Sequence, residues 1–168
     1  ILINDPHLML VPEYIADRYR VCEVLGRGGM GTVYRVTDLS AERTLALKQL
    51  QIPPDAHNRA LLEALFEQEF RVLVQLDHPR VIRVYDYGLA SGGAYYTMEL
   101  LEGGNLTEHA PLPWREACLL LHDVCSSLAL LHARRLIHRD VSPHNVRRTR
   151  DGRAKLIDFG AIAPMGPN

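Results

Sequence analysis

Two short polar motifs near the end of the chain constrain its fold more than any other feature. The first is His138-Arg139-Asp140-Val141-Ser142-Pro143-His144-Asn145, and the second is Asp158-Phe159-Gly160. Asp140 and Asp158 are 18 residues apart, which leaves room for a loop, two short strands and a turn. A hairpin of that length can return the chain so that the two motifs meet.

The segment between the motifs has the pattern of such a hairpin. We expect Asn145-Val146 to lead into its first strand and residues 154–157 to form its second, with Asp151-Gly152 as a two-residue type I′ turn. One carboxylate can then accept a proton, while an amide oxygen and the other carboxylate hold a hard cation such as Mg²⁺. Two unrelated acidic loop residues are the alternative for either motif taken alone.

Length and composition limit the classes of protein to which the chain can belong. Its 168 residues suffice for one ordinary domain or for a two-lobed piece of a larger one, and 47% apolar residues can form a core. A net charge of −1 argues against a general nucleic-acid or membrane-surface binder. No window approaches the roughly 18 apolar residues of a membrane span. Cys22, Cys118 and Cys125 have no zinc-ligand spacing, so we expect reduced, buried thiols in a cytoplasmic protein.

A glycine-rich turn lies between two strand patterns in the first part of the chain. Residues 19–25 and 32–36 are the strand patterns, and Gly26-Arg27-Gly28-Gly29-Met30-Gly31 connects them. A dinucleotide-binding fold needs a helix after such glycines, so the context favours a hairpin whose tip lies over phosphate groups. A plain glycine hairpin is the alternative.

The remaining periodicity predicts three more strands and two long helices. The strands cover residues 44–50, 81–87 and 94–100, and the helices cover residues 59–76 and 114–134. Lys48 lies within the first of these strands and Glu69 within the first helix. Taken alone, each charge fits a solvated position equally well.

These motifs, in this order, resemble the signature of eukaryotic-like (Hanks-type) bacterial protein serine/threonine kinases. The resemblance covers about residues 19–162. It implies an α+β, two-lobed fold, with a five-stranded antiparallel N-lobe sheet, one long helix and the beginning of a mostly helical C-lobe. We therefore divide the chain into an N-terminal extension or linker (1–18), the N-lobe and hinge (19–101) and a partial C-lobe (102–168), truncated after Asp158-Phe159-Gly160.

The resemblance also implies roles for individual residues. Asp140 corresponds to the base that accepts the substrate hydroxyl proton, and Lys48 to the phosphate-binding lysine that pairs with Glu69, with Glu67 as the fallback. Asn145 and Asp158 correspond to the Mg²⁺ ligands. An apolar stack that joins the lobes corresponds to Leu73, His138 and Phe159, with Val84. The ATP-binding positions are Leu25, Gly26, Arg27, Gly28, Gly29, Met30, Gly31, Thr32, Val33, Ala46, Lys48, Met98, Glu99 and Leu101.

Two residues depart from the family pattern. Ser142 stands where most of these kinases carry a lysine, and Arg147 stands where an apolar residue normally lies under the adenine. The expected function is an ATP- and Mg²⁺-dependent kinase that phosphorylates Ser or Thr of proteins, in a chain with further domains and with weak or no activity in isolation. The alternatives are a nucleotide-binding pseudokinase or scaffold module, and a small-molecule kinase of the same broad fold.

Overall fold

The computed structural model describes residues 11–28, 31–53 and 56–166. Six strands form one antiparallel sheet in the first part of the chain: β1 (Tyr14–Ile15), β2 (Tyr19–Gly28), β3 (Gly31–Asp38), β4 (Arg43–Leu50), β5 (Val84–Ala90) and β6 (Gly93–Met98). They lie in the order β1-β2-β3-β4-β6-β5. Successive residues of β3 alternate between buried and half-buried, as expected for a strand whose side chains point to opposite faces.

Five of these strands are the predicted ones, and β1 is additional. It lies inside residues 1–18, which the sequence assigned to an extension, and it pairs with β2 through Ile15 and Tyr19. Ile15 is only 2% exposed. A two-residue strand is too short to show alternation, so the sequence pattern could not reveal that the sheet begins at Tyr14.

Helix α1 (Arg59–Leu73) packs against the sheet through Phe66, Glu69 and Leu73. The predicted helix extended to residue 76, but α1 ends three residues earlier. The amide of Gln75 donates to the carbonyl of Val72, so the chain tightens there into turns.

Helix α2 (Trp114–Ala133) buries a stripe that includes Leu120, Val124 and Leu131. Among the described residues it is the one helix long and apolar enough to cross a bilayer, a property that core helices of soluble proteins share. Cys118 and Cys125 lie on its exposed side, and Cys22 of β2 is also exposed. The prediction that the cysteines are buried is therefore wrong, because their positions fall outside the buried stripe.

Two short antiparallel pairs follow α2. Strand β7 (Leu136–Ile137) pairs with β10 (Ala163–Pro164), and β8 (Val146–Arg148) pairs with β9 (Ala154–Leu156). The hairpin of β8 and β9 is the predicted one.

The turn of that hairpin differs from the prediction. Residues 149–153 connect β8 to β9, with the Thr149 amide donating to the Arg153 carbonyl. A type I′ turn needs positive φ at both central residues, but of Asp151 and Gly152 only Gly152 has it, at +74°. The connection is therefore longer than two residues.

The hairpin is also joined to the segment that follows α1. The Ile82 amide donates to the Leu156 carbonyl at 3.0 Å, and the Leu156 amide donates to the Arg80 carbonyl at 2.9 Å. One apolar core continues through this junction from Phe66 of α1 to Leu131 of α2. The junction holds the hairpin against the sheet-bearing part of the chain.

Candidate active site

A buried ion pair joins β4 to α1. The Lys48 Nζ lies 2.9 Å from both carboxylate oxygens of Glu69, whose side chain is 1% exposed. Glu67, the fallback partner, lies on the outer side of α1 and pairs with Arg71. A buried charge is costly unless it is paired and hydrogen-bonded, so each member of the Lys48–Glu69 pair explains the position of the other.

Asp140 and Asn145 are joined directly within the loop that precedes β8. The Asn145 Nδ2 donates to the Asp140 Oδ2 at 2.8 Å and to the Asp140 carbonyl at 3.0 Å. The Asp140 side chain is exposed and therefore accessible to a substrate. These bonds fix its orientation.

The hairpin brings Asp158 to this loop. The Ile157 amide donates to the Asn145 carbonyl at 2.8 Å, and the Asp158 Oδ1 lies 3.7 Å from the Lys48 Nζ. Asp158 has a φ of +59°, a conformation that is uncommon for a residue with a side chain. The site therefore brings together Asp140, Asn145 and Asp158, and Lys48 lies beside Asp158.

The oxygen atoms at this point fit a hard divalent cation. Because the Asn145 Nδ2 points to Asp140, the Asn145 Oδ1 is left for another ligand, and Asn145 and Asp158 line the same cleft. Residues 11–28, 31–53 and 56–166 contain no cluster of three or more His, Cys, Asp or Glu side chains that could hold a metal by themselves. Magnesium is commonly bound by one or two protein ligands together with phosphate oxygens, so this donor set fits it.

Two adjoining cavities contain most of the predicted ATP-binding residues. The first is lined by Leu25, Gly26, Val33, Ala46, Lys48, Met98, Glu99 and Leu101. The second, under the glycine turn, adds Arg27, Gly28 and Gly31. Gly29 and Met30 lie outside the described residues.

Thr32 is the exception among the predicted ATP-binding residues. It is 1% exposed and lines neither cavity, and its hydroxyl donates to the Gln51 side chain at 3.0 Å. Neighbouring residues of a strand point to opposite faces, so Thr32 points away when Val33 lines the cavity. The prediction of Thr32 as a binding residue is therefore not supported by its side chain.

An apolar stack supports the loop from behind. Leu73, Val84, His138 and Phe159 are all buried, and the rings of His138 and Phe159 meet edge to face at 4.8 Å. Burial lowers the pKa of His138 below its ordinary value of 6.5, so the imidazole stays neutral at pH 7. Its Nδ1 can then accept from the Asp140 amide at 3.3 Å. The stack thereby helps to place Asp140.

The two departures from the family pattern both lie at the site. Ser142 is half-buried and adds no positive charge to the loop. Arg147 lines the first cavity, and its Nε is buried with no hydrogen-bond partner among the described residues. The floor of this cavity therefore carries a guanidinium group in otherwise mostly apolar surroundings.

Tyr96 is a residue of the site that the sequence analysis missed. It lines the first cavity, and its hydroxyl donates to the Glu69 Oε1 at 3.0 Å. It lies two residues before Met98 on β6, so strand alternation places both on one face. That spacing was the available signal.

Comparison with known proteins agrees with this geometry. The model of the protein kinase domain matches residues 19–167.

The chain belongs to the protein kinase family.

Three of the relatives that it resembles come from bacteria. It is 33% identical to the serine/threonine-protein kinase PrkC of Bacillus subtilis over 94% of this chain and 24% of that protein. It is 36% identical to the serine/threonine-protein kinase pkn2 of Myxococcus xanthus over 95% of this chain and 20% of that protein. With PknB of Mycolicibacterium smegmatis the identity is 32%, over 94% of this chain and 27% of that protein.

The chain thus spans about a fifth to a quarter of the length of these relatives. Membership of the family implies ATP and a divalent metal ion as cofactors.

Proposed function

We propose that this kinase domain transfers the γ-phosphate of ATP to Ser or Thr hydroxyls of proteins, with Mg²⁺ as the metal. The observation that carries the proposal is the position of the buried Lys48–Glu69 pair beside the cluster of Asp140, Asn145 and Asp158. Phosphoryl transfer requires positioning and charge neutralisation more than covalent chemistry from the protein, and this cluster supplies both.

Each of these side chains has a separate task. Asp140 accepts the proton of the substrate hydroxyl as that oxygen bonds to the γ-phosphorus and the bond to ADP breaks. Asn145 keeps the Asp140 carboxylate in place through its Nδ2. Lys48, fixed by Glu69, donates to phosphate oxygens. The Asn145 amide oxygen and the Asp158 carboxylate would hold Mg²⁺, which neutralises phosphate charge when bound.

The first cavity is the proposed binding site of the adenine ring of ATP. Leu25, Val33, Ala46 and Met98 give it apolar walls. The amide of Glu99, at the start of the hinge, already donates to the Arg83 carbonyl at 2.9 Å. We therefore assign recognition of the adenine edge to the remaining backbone groups of residues 99–101.

The partners and the location follow from the same proposal. The substrates would be proteins with an accessible Ser or Thr, and the greater length of the relatives supports further domains in the same protein. The three described cysteines are free and exposed. Exposed thiols persist in a reducing compartment, which supports a cytoplasmic location for the domain.

Calorimetry with ATP, with and without Mg²⁺, tests the nucleotide site. We expect Mg²⁺-dependent binding that weakens in Lys48→Met and in Asp158→Ala. The exposed Asp77 has no part in the site, so Asp77→Asn is the matched control and should bind as the wild type does. An ATP affinity that is the same without Mg²⁺ and in both site variants would contradict the proposal.

Transfer of labelled phosphate from ATP to a protein acceptor tests catalysis. We expect Asp140→Asn to abolish turnover and to leave ATP binding within about twofold, because Asp140 lines neither cavity. A scaffold module, the alternative supported by Arg147 in the cavity, would bind ATP without transferring phosphate. Absence of transfer by the wild type in its full-length protein would favour that alternative.

A further inference from the structure

One oxygen of Glu69 receives three hydrogen bonds. The Oε1 accepts from the Lys48 Nζ at 2.9 Å, from the Tyr96 hydroxyl at 3.0 Å and from the Phe159 amide at 3.3 Å. These donors come from β4, from β6 and from the motif that follows β9. Glu69 is therefore held by groups from three separate parts of the chain.

The ring of Tyr96 also contacts the surroundings of the lysine. The Lys48 Nζ lies 5.8 Å from the ring centroid of Tyr96 and 5.9 Å from that of Phe66, both within cation–π range. The two rings pack together with centroids 5.1 Å apart. The ammonium group thus has two aromatic rings on its apolar side and the Glu69 carboxylate on its polar side.

The Tyr96 hydroxyl is protonated at neutral pH and is therefore a hydrogen-bond donor. Tyr96 is 2% exposed, and burial, reinforced by the neighbouring Glu69 charge, raises its pKa well above the ordinary value of 10. A buried hydroxyl that donates to a carboxylate forms a charge-assisted hydrogen bond, which is stronger than a bond between neutral groups.

We propose that Tyr96 is a positioning residue whose hydroxyl fixes the Glu69 carboxylate and thereby holds Lys48 in its phosphate-binding place. Lys48 has a second carboxylate within reach, because the Asp158 Oδ1 lies 3.7 Å from its Nζ. By fixing Glu69 at 2.9 Å from the lysine, the Tyr96 hydroxyl keeps the ammonium on the Glu69 side and leaves the half-exposed Asp158 to bind the metal.

The lysine content of the chain allows a direct test. Lys48 and Lys155 are its two lysines. Both are paired with a glutamate, and their side chains are similarly exposed, at 13% and 15%. Acylation by an amine-reactive reagent, followed by mass spectrometry, therefore reports on Lys48 with Lys155 as an internal reference.

Tyr96→Phe removes the hydroxyl and keeps the ring. We expect the acylation rate of Lys48, relative to Lys155, to rise about threefold to tenfold, the range for loss of one ordinary hydrogen bond, because the effect reaches Lys48 only through Glu69. Tyr95→Phe is the matched control, because Tyr95 is the neighbouring residue on the opposite face of β6 and packs in a separate apolar cluster with Ile15 and Tyr19. It should leave the ratio unchanged.

A double-mutant cycle separates positioning through Glu69 from general loosening. Glu69→Gln should itself raise the Lys48 rate, and Tyr96→Phe should add nothing further in that background. A ratio within twofold of the wild type in Tyr96→Phe, or equal effects of Tyr96→Phe with and without Glu69→Gln, would overturn the proposal.

If Tyr96→Phe does not fold, NMR of the wild type decides the question. With labelled tyrosine, we expect a slowly exchanging Tyr96 hydroxyl proton that shifts in Glu69→Gln, and a rapidly exchanging hydroxyl would refute the bond.

The consequence for ATP rests on the proposed function, whereas the acylation result does not. A weakened Lys48 position should raise the dissociation constant of Mg²⁺-ATP by a factor similar to the change in acylation. Unchanged ATP binding alongside a raised acylation ratio would refute the part of the proposal that concerns phosphate binding. Absence of ATP binding in the wild type would instead refute the proposed function, and the acylation ratio would still decide the role of Tyr96.

Discussion

The substitution Asp123→Asn should destabilise the protein, because this carboxylate joins three parts of the chain. Asp123 lies on the buried stripe of α2 and is 1% exposed. It accepts from the Arg153 Nε at 2.9 Å and from the Ala154 amide at 3.0 Å, and the Arg80 Nε lies 3.3 Å away. The hydrogen bond from Arg153 is the largest cause that lowers the pKa of Asp123 below its ordinary value of 3.8.

The expected magnitude follows from the exposure of the partners. Removing one member of a fully buried ion pair costs about 3–5 kcal/mol. Arg153 is 44% exposed, so water can replace part of its interaction, and asparagine keeps one oxygen for the Ala154 amide. We therefore expect a loss of about 2–3 kcal/mol of unfolding free energy, or roughly 5–10 °C in melting temperature for a chain of this length.

Urea unfolding at pH 7 measures this loss. Glu67→Gln is the control, because it makes the same chemical change in the exposed Glu67–Arg71 pair and should cost at most about 0.5 kcal/mol. Equal effects of the two substitutions would refute the argument that burial makes Asp123 important.

The pH dependence gives a second check on Asp123. A carboxyl group with a lowered pKa in the folded state binds its proton more readily after unfolding. Its contribution to stability is therefore present above the ordinary pKa of 3.8 and is lost as the pH falls through the lower folded value. The difference between the wild type and Asp123→Asn should shrink in this acidic range, and a constant difference would contradict the assignment.

Two further predictions follow from the fold. Gly31 has a φ of +145°, and a Cβ there would lie 2.0 Å from the Gln49 carbonyl oxygen, whereas a Cβ at Gly26 meets nothing within 4 Å. Gly31→Ala should lower the melting temperature by several degrees, through about 1–3 kcal/mol of backbone strain plus the clash, and Gly26→Ala should not. Burial lowers the pKa of His138 from 6.5, so the wild type should lose stability as the pH falls below about 6.5. His138→Phe should flatten that dependence in a series of thermal melts, and an unchanged slope would contradict it.

The sequence predicted most of the strands and both long helices, because their apolar residues recur with regular spacing. It also predicted the hairpin that brings Asn145 and Asp158 together, since the motifs bracket two strand patterns. The prediction of a two-residue turn was wrong, because the dipeptide Asp151-Gly152 alone does not determine the turn type. The local composition did not determine the length of the loop between β8 and β9.

Contacts between distant segments could not be predicted from the sequence. Asp123 interrupts the apolar stripe of α2, and that interruption was a signal, but nothing in the pattern shows that Arg80 and Arg153 surround it. The hydrogen bond from Tyr96 to Glu69 likewise depends on how α1 lies on β6. Glu69 and Glu67 could be ranked only through the family resemblance, because both lie on the same helix.

The junction at Leu156 determines how the two parts of the domain can move. The segment at residues 80–82 is bonded on both sides of Leu156, and the hinge at residues 99–101 provides a second attachment. A body attached to another at two points can rotate about the line that joins them, but it cannot slide. We therefore expect any opening of the cleft to be a rotation about this line. We expect such a rotation to change the 3.7 Å separation between Lys48 and Asp158 and the hydrogen bond from the Phe159 amide to Glu69. Lys48 and Glu69 both lie on one side of the cleft and should stay paired.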